Sequence, residues 1–179
     1  MAAILDMYID LQPILTGGHV ILRPLVDSDF EPLYDAASDT LIWEQHQDKK
    51  RHTREGFSQF FKESMASAGA LCILEIEDNN VIGSSRFKII DQAEGIVEIG
   101  WTFLKRNYWG GSYNREVKQL MINHALKYFR KVVFYVNKKN TRSQKALEKI
   151  GAIRTFEYGL SWVIDQQDGL TYLISKEIH

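Results

Sequence analysis

Residues 98–121 read EIGWTFLKRNYWGGSYNREVKQLM, and residues 137–152 read NKKNTRSQKALEKIGA. The first stretch starts as a strand, breaks at a glycine-bearing turn and continues as an amphipathic helix. An apolar, β-branched run over 131–136 follows, and the second stretch opens another helix. The turn Trp109-Gly110-Gly111-Ser112 falls where the strand has ended and the helix begins. A helix start presents unpaired backbone N–H groups and the positive end of the helix dipole. Aimed at one point, these suit a diphosphate. Read this way, residues 96–136 form a β-α-β unit.

Outward from this unit, the helix after the turn places Tyr113, Val117, Leu120, Met121, His124, Ala125 and Tyr128 on one stripe. Arg115, Lys118, Gln119 and Lys127 fall outside it. His124 on such a stripe reads as a satisfied core histidine rather than a ligand. Asn140 caps the next helix, whose Ala146, Leu147 and Ile150 are helically spaced, and Gly151 ends it. Upstream, residues 19–24 alternate like a strand stopped by Pro24. Asp27 and Asp29 cap a short helix through Ala37, which Asp39-Thr40 would end. Residues 43–50 read as loop, and 53–68 as a helix carrying Phe57, Phe60, Phe61, Ser64 and Met65. Strands over 70–76, 81–90 and 96–104 make a meander, with a hairpin turn at Asp78-Asn79-Asn80. Residues 152–157 and 171–178 are two last strands. The order β-α-α-β-β-β-α-β-α-β-β predicts one α+β (mixed α/β) domain over 1–179, with a predominantly antiparallel sheet.

The chain has 179 residues and a formal net charge of −1. That balance hides an asymmetry. Residues 105–149 hold twelve Lys and Arg against only Glu116 and Glu148, a net of +10. This basic field contains the glycine turn, which points to an anionic ligand. The remaining residues are acidic, which, with Glu44, favours a cationic acceptor. Cys72 is the only cysteine, so an intramolecular disulfide and a cysteine metal cage are excluded, and LCILEI around it reads as a buried strand. The start, MAAILDMYIDLQPIL, lacks a basic n-region and a cleavage pattern. No run approaches the roughly 18 apolar residues of a membrane span. A cytoplasmic protein with neither membrane nor nucleic acid as partner is expected.

Several chemistries do not fit the residues. A triphosphatase loop needs Gly-Lys-Ser/Thr, but Gly111 is followed by Ser112-Tyr113-Asn114. The glycines do not match G-x-G-x-x-G. His19, His46, His52, His124 and His179 show no metal-ligand spacing, and no G-x-S-x-G elbow occurs.

The segments GGHVILRPLVDSD (17–29), VIGSSRF (81–87), EIGWTFL (98–104), RNYWGGSYNREVK (106–118) and NTRSQKALEKIGA (140–152) together resemble the GNAT acyl-CoA N-acyltransferases. Within that family the chain is similar to the RimJ/RimL branch. The resemblance implies a twisted, mainly antiparallel sheet with helices on both faces, splayed between the strands at 96–104 and 131–136. Acetyl-CoA would be the co-substrate, with no metal. Phe103 and Leu104 would contact pantetheine. Trp109, Gly110, Gly111, Ser112, Tyr113 and Asn114 would hold the diphosphate, with Arg106, Arg115 and Lys118 as outer neutralising charges. Asn140 and Ser143 would lie near the thioester. The family's loop usually reads Gln/Arg-x-x-Gly-x-Gly/Ala, whereas here it runs from Asn107 to Ser112. Its frequent acid tyrosine is replaced by Leu147, while Ser143 matches the closer branch.

Acetyl transfer to a primary amine, small-molecule or protein N-terminal, needs a proton acceptor. Glu98 is the base candidate, and pairing with Arg86 is its structural alternative. Strand alternation places Glu98 with Gly100 and Thr102, opposite Trp101 and Phe103. Ser143 fits a hydrogen-bond donor to the leaving thiolate. Trp43 and His46 are candidates for the acceptor pocket, with a core or dimer role for Trp43 as the alternative. A homodimer is a further expectation from the resemblance. A CoA-binding module without turnover is the competing reading.

Overall fold

The computed structural model describes residues 9–155 and 168–176. Its elements run β1 (Leu15–Thr16), β2 (Val20–Pro24), α1 (Phe30–Ala37), α2 (Thr40–Trp43), α3 (Arg54–Ala66), β3 (Ala70–Glu75) and β4 (Val81–Asp91). They continue with β5 (Ile96–Leu104), α4 (Tyr113–Ala125), β6 (Lys131–Asn137), α5 (Thr141–Lys149), β7 (Ile153–Thr155) and β8 (Gly169–Ser175). The strands form one sheet in the order β1-β2-β3-β4-β5-β6-β8-β7. Every neighbouring pair is antiparallel except β5 and β6. This is the mixed α/β architecture expected. Residues 156–157 and 177–178, read from sequence as strand ends, lie outside the described residues.

Each face of the sheet is covered because each is apolar. On one face Val117, Met121, Ile122 and Ala125 of α4 pack over Val20, Leu22, Leu71, Ile73, Val97 and Ile99. On the other, Leu33, Trp43, Phe57, Phe60 and Phe61 of α1–α3 cover Ala70, Cys72, Leu74 and Phe103. Burial raises the Cys72 thiol to about 12, which leaves it inert. His124 is a buried ring whose Nε2 bonds the Asp10 carbonyl at 2.8 Å. Tyr128, assigned from sequence to the core stripe, is exposed, and Ile122 is buried instead.

Local caps set the helix ends. Thr53 Oγ1 accepts from Gly56 N–H at 3.1 Å to start α3. Asn140 Oδ1 accepts from Ser143 N–H at 3.0 Å to start α5. Gly151, at φ +85°, ends α5. Asp39, expected as a terminator, is instead an N-cap. Its Oδ1 accepts from Leu41 N–H at 3.0 Å and starts α2. Trp43 therefore lies in a helix, not in a loop, and its indole donates to the Ala37 carbonyl at 2.7 Å.

A β-bulge corrects the expected facing of β5. The β4–β5 register passes from Ser84↔Phe103 to Arg86↔Gly100, so Trp101 and Thr102 together oppose Ser85. Trp101 takes φ +53°, a strained value for a side-chain-bearing residue. Beyond it the alternation inverts. Trp101 and Phe103 point to the α1–α3 side, the face that also carries Arg86 and Glu98. Thr102 points to α4, where it accepts from Lys118 Nζ at 2.6 Å.

Asp29 ties β2 to α1. Its buried carboxylate takes two bonds of 2.7 Å from the Arg23 fork and one of 3.0 Å from Val26 N–H. Asp29→Ala should cost about 2–3 kcal/mol in urea unfolding, below the full value for a wholly buried pair because water reaches Arg23. A loss under about 1 kcal/mol would show that the tie contributes little.

Candidate active site

The site begins where the parallel pairing stops. β5 and β6 share three residue pairs, Ile96↔Lys131, Val97↔Val132 and Glu98↔Val133. Past these, β6 stays with β8 as far as Asn137↔Gly169, and β5 stays with β4 as far as Gly83↔Leu104. The two strands therefore part like a V, and among the described residues no strand pairs with β5 on its β6 side from Ile99 onward. An extended chain with amide groups can add to such an edge.

The glycine turn follows β5 and leads into α4. Among the described residues, the N–H groups of Gly110, Gly111, Ser112, Tyr113 and Asn114 donate to no acceptor. Gly110 sits at φ +75° with open space where a Cβ would stand. Glu116, the acid of the first turn of α4, is drawn away: its carboxylate accepts from Gly18 N–H at 2.6 Å and His19 N–H at 2.9 Å. The positive helix end is thus left uncompensated, and the cradle fits linked phosphates.

Trp109 is anchored beside the turn. Its Nε1 donates to the Leu104 carbonyl at 2.9 Å, and the Arg142 guanidinium stacks over its ring at 4.0 Å. Phe103 is a core ring packed 5.3 Å from Trp43, and Leu104 belongs to the opposite core. Any contact of these two with a ligand in the V thus comes from backbone. Of the three outer cations, Arg106 is engaged by Asp39 at 2.6 Å and Arg115 is exposed. Lys118 is not an outer charge at all. It is only 8% exposed, its Nζ bonds Thr102, and it lies 5.3 Å from the Phe134 ring of β6.

Glu98 stands on the last pair before the strands part. It is buried, and among the described residues nothing ion-pairs or hydrogen-bonds its carboxylate. A Cβ at position 100 would fall 2.8 Å from Glu98 Oε1, so Gly100 leaves the space this carboxylate occupies. Arg86, the expected structural partner, donates instead to Ser64 Oγ at 2.5 Å and stacks 4.4 Å from Trp101. Burial raises the Glu98 pKa to about 7, against the pull of Lys88, Arg86 and Lys118. Burial likewise lowers Lys118 to about 7, partly offset by Glu98. The two approach the parting strands from opposite faces.

Asn140 spends its side-chain oxygen on capping α5. Ser143 lies one turn before the buried Leu147 on the same helix face. Trp43 is 3% exposed, which makes it a core anchor rather than a pocket wall. His46 packs edge-on against it at 5.6 Å. Burial, then the Arg51 charge, lowers the His46 pKa to about 4, so the ring is neutral near pH 7. Glu44 is exposed and influences Arg142. The face around Glu98 holds Arg86 and Lys88 and is not acidic. Tyr135, two residues past the last β5–β6 pair, is a further hydroxyl near Glu98. Burial and that carboxylate hold it at about 12, hence protonated.

Sequence reading named Lys118 as an outer charge and missed its burial, although 118, 121, 122 and 125 form an i, i+3, i+4, i+7 set. It also missed Tyr135 and the Trp109–Arg142 stack, for which no local pattern exists. Among the described residues no cluster of three or more His, Cys, Asp or Glu could hold a metal ion. None of their helices is long and apolar enough to cross a membrane.

The acetyltransferase (GNAT) domain family matches residues 19–153, and the chain belongs to that family. An uncharacterized N-acetyltransferase, p20, of Bacillus licheniformis is 32% identical over 105 residues, covering 55% of this chain and 58% of the relative. The chain thus spans little over half the length of that relative. A GNAT-family acetyltransferase structure from Bacillus anthracis superposes with a TM-score of 0.74 at 22% identity, over 91% of this chain and 98% of the other. A spermidine N-acetyltransferase from Vibrio cholerae, solved with CoA and spermine, does so with a TM-score of 0.68 at 12% identity, over 89% and 96%. At these identities the two structures share the fold.

The two buried titrating groups predict an unusual stability profile. Between about 4.5 and 7 the folded state holds a proton on Glu98 that the unfolded chain has released, so stability falls as pH rises. Between about 7 and 10.5 the unfolded chain protonates Lys118 and the folded state does not, so stability rises with pH. His46, neutral in the folded state down to about 4, makes stability rise with pH below about 6.5 and so opposes the Glu98 limb. Urea unfolding over pH 5–10 should be nearly flat on the acid side and rise above about 7. Glu98→Gln should uncover the rising His46 limb below about 6.5, and Lys118→Met should flatten the alkaline limb. Unchanged limbs in both variants would refute the assignment.

Proposed function

We propose that this protein is an acetyl-CoA-dependent N-acetyltransferase of the RimJ/RimL type, acting on a primary amine of a small molecule or a protein N-terminus. The observation that carries the reading is the row of unpaired N–H groups from Gly110 to Asn114 beside the parted strands. The diphosphate binds those amides. The pantetheine arm lies in the V along the free edge of β5 and carries the thioester toward Glu98. Arg115 supplies outer charge.

The neutral amine attacks the thioester carbonyl carbon, the new C–N bond forms, and the C–S bond breaks. Glu98, ionised above about 7, accepts the proton the nitrogen sheds, directly or through water. Ser143 donates a hydrogen bond to the departing thiolate, which takes its proton from solvent. Burial with no ion pair keeps the Glu98 pKa near working pH, where a base is most effective.

Thiol release from acetyl-CoA across an amine and peptide panel tests the reading. Calorimetric binding of acetyl-CoA with no thiol released for any acceptor would replace it with a CoA-binding module. Glu98→Gln should lower kcat by about 10²–10⁴-fold with acetyl-CoA affinity retained. In the unaltered protein kcat/KM should rise with pH through about 7, because Glu98 must lose its proton to act. The variant should lack that limb.

Placing a valine at Gly110 should weaken acetyl-CoA binding at least tenfold in calorimetry. The φ of +75° is one a β-branched residue resists. Equal affinity would mean that the turn does not set the cradle.

A further inference from the structure

Arg86 and Arg51 are two cations held against one ring, with their guanidinium carbons 5.9 and 4.6 Å from the centre of Phe60. Arg86 is only 7% exposed, and its Nε is buried without a partner. Its one side-chain hydrogen bond goes to a neutral hydroxyl, Ser64 Oγ. Among the described residues no carboxylate lies within ion-pair distance of it. Arg51 has one acidic contact, Asp48 at 3.3 Å, from a side chain that is half exposed. The charges facing the pair are Asp48 at Arg51, Glu63, exposed on α3, and Glu98 at Arg86, while Arg51 opposes Arg86. A buried cation such as Arg86, with no carboxylate in bonding contact among the described residues and a second cation beside it, is costly, and a ligand anion removes that cost.

Position says which ligand. Arg86 pairs with Gly100, and Lys88 pairs with Glu98. Arg86 and Glu98 are therefore diagonal neighbours on one face, roughly 7–8 Å apart at the backbone. A group that places an amine at Glu98 can reach Arg86 with a carboxylate a few bonds away. Resting on the acetyl-transfer reading, we infer that the acceptor is a carboxylate-bearing primary amine, whose anionic group Arg86 binds with Arg51 behind it. The same face would repel a polyamine.

Equilibrium binding to the protein saturated with CoA tests this without turnover. Alanine would be compared with alaninamide, and a peptide beginning Ser-Asp with one beginning Ser-Asn. The carboxylate member of at least one pair should bind at least tenfold tighter. A preference only for alanine marks a free amino acid, and a preference only for the Ser-Asp peptide marks an acidic protein N-terminus. Arg86→Gln should erase the preference and leave CoA affinity unchanged. If that variant also loses CoA binding, Arg51→Gln decides, and it should reduce the preference at least threefold. Equal binding within both pairs, tighter binding of spermidine than of any carboxylate, or a preference that survives the substitution would overturn the inference. Equal thiol release with neutral amines would overturn it while sparing acetyl transfer. Failure of acetyl-CoA to bind would remove both.

Discussion

The short parallel contact between β5 and β6 governs the rest of the molecule. Three residue pairs join the halves of the sheet, and then each strand follows its other neighbour. Stopping there leaves a strand edge that no described strand pairs with, whereas proteins ordinarily cover or blunt such an edge. Here the exposed edge leads to a turn whose own N–H groups are unpaired. Two sets of backbone donors and acceptors are thus left open side by side. That coincidence, more than any single side chain, is what supports the proposed seat for a long ligand with amides at one end and phosphates at the other.

The bulge at Trp101 decides what lies around the opening. One extra residue inverts the alternation, sending Trp101 and Phe103 to the α1–α3 face and Thr102 to α4. Trp101 then forms the platform on which Arg86 stacks, and Thr102 becomes the acceptor for Lys118. Ser85 Oγ, 2.7 Å from Thr102 Oγ1, extends this polar chain beneath the bulge. The strain of a positive φ at Trp101 is offset by these contacts. Glu98, just before the bulge, keeps its carboxylate over Gly100, and no cation among the described residues pairs with it. Desolvation therefore dominates its acidity.

Legibility followed range. The cap at Asn140 and the stop at Gly151 were readable because each is set by residues within a few positions. The meander and the β-α-β unit were readable because periodicity survives in any context where one face is buried. Asp39 was misread as a stop because a capping aspartate looks the same at the end of one helix and the start of the next. Lys118 was misread because a lysine on a helix is ordinarily solvated, and its burial depends on Thr102 and Phe134 arriving from two strands. The facing of Phe103 failed because a bulge breaks a period of two without any mark in the residues themselves.

By itself the chain determined its longer elements and their order, though not the short β1 and α2, together with the glycine turn at the start of α4 and the identity of the base candidate on β5. These depend on local backbone preference and on apolar spacing, which act over a few residues. Tertiary structure alone decided where the parallel strands part, which face Arg86 and Glu98 share, and that Lys118 and Arg86 are buried with no carboxylate partner among the described residues. Those outcomes depend on contacts between segments far apart in the chain. Desolvation and pairing of charge, which set the chemistry of the site, are properties of such contacts and not of any one segment.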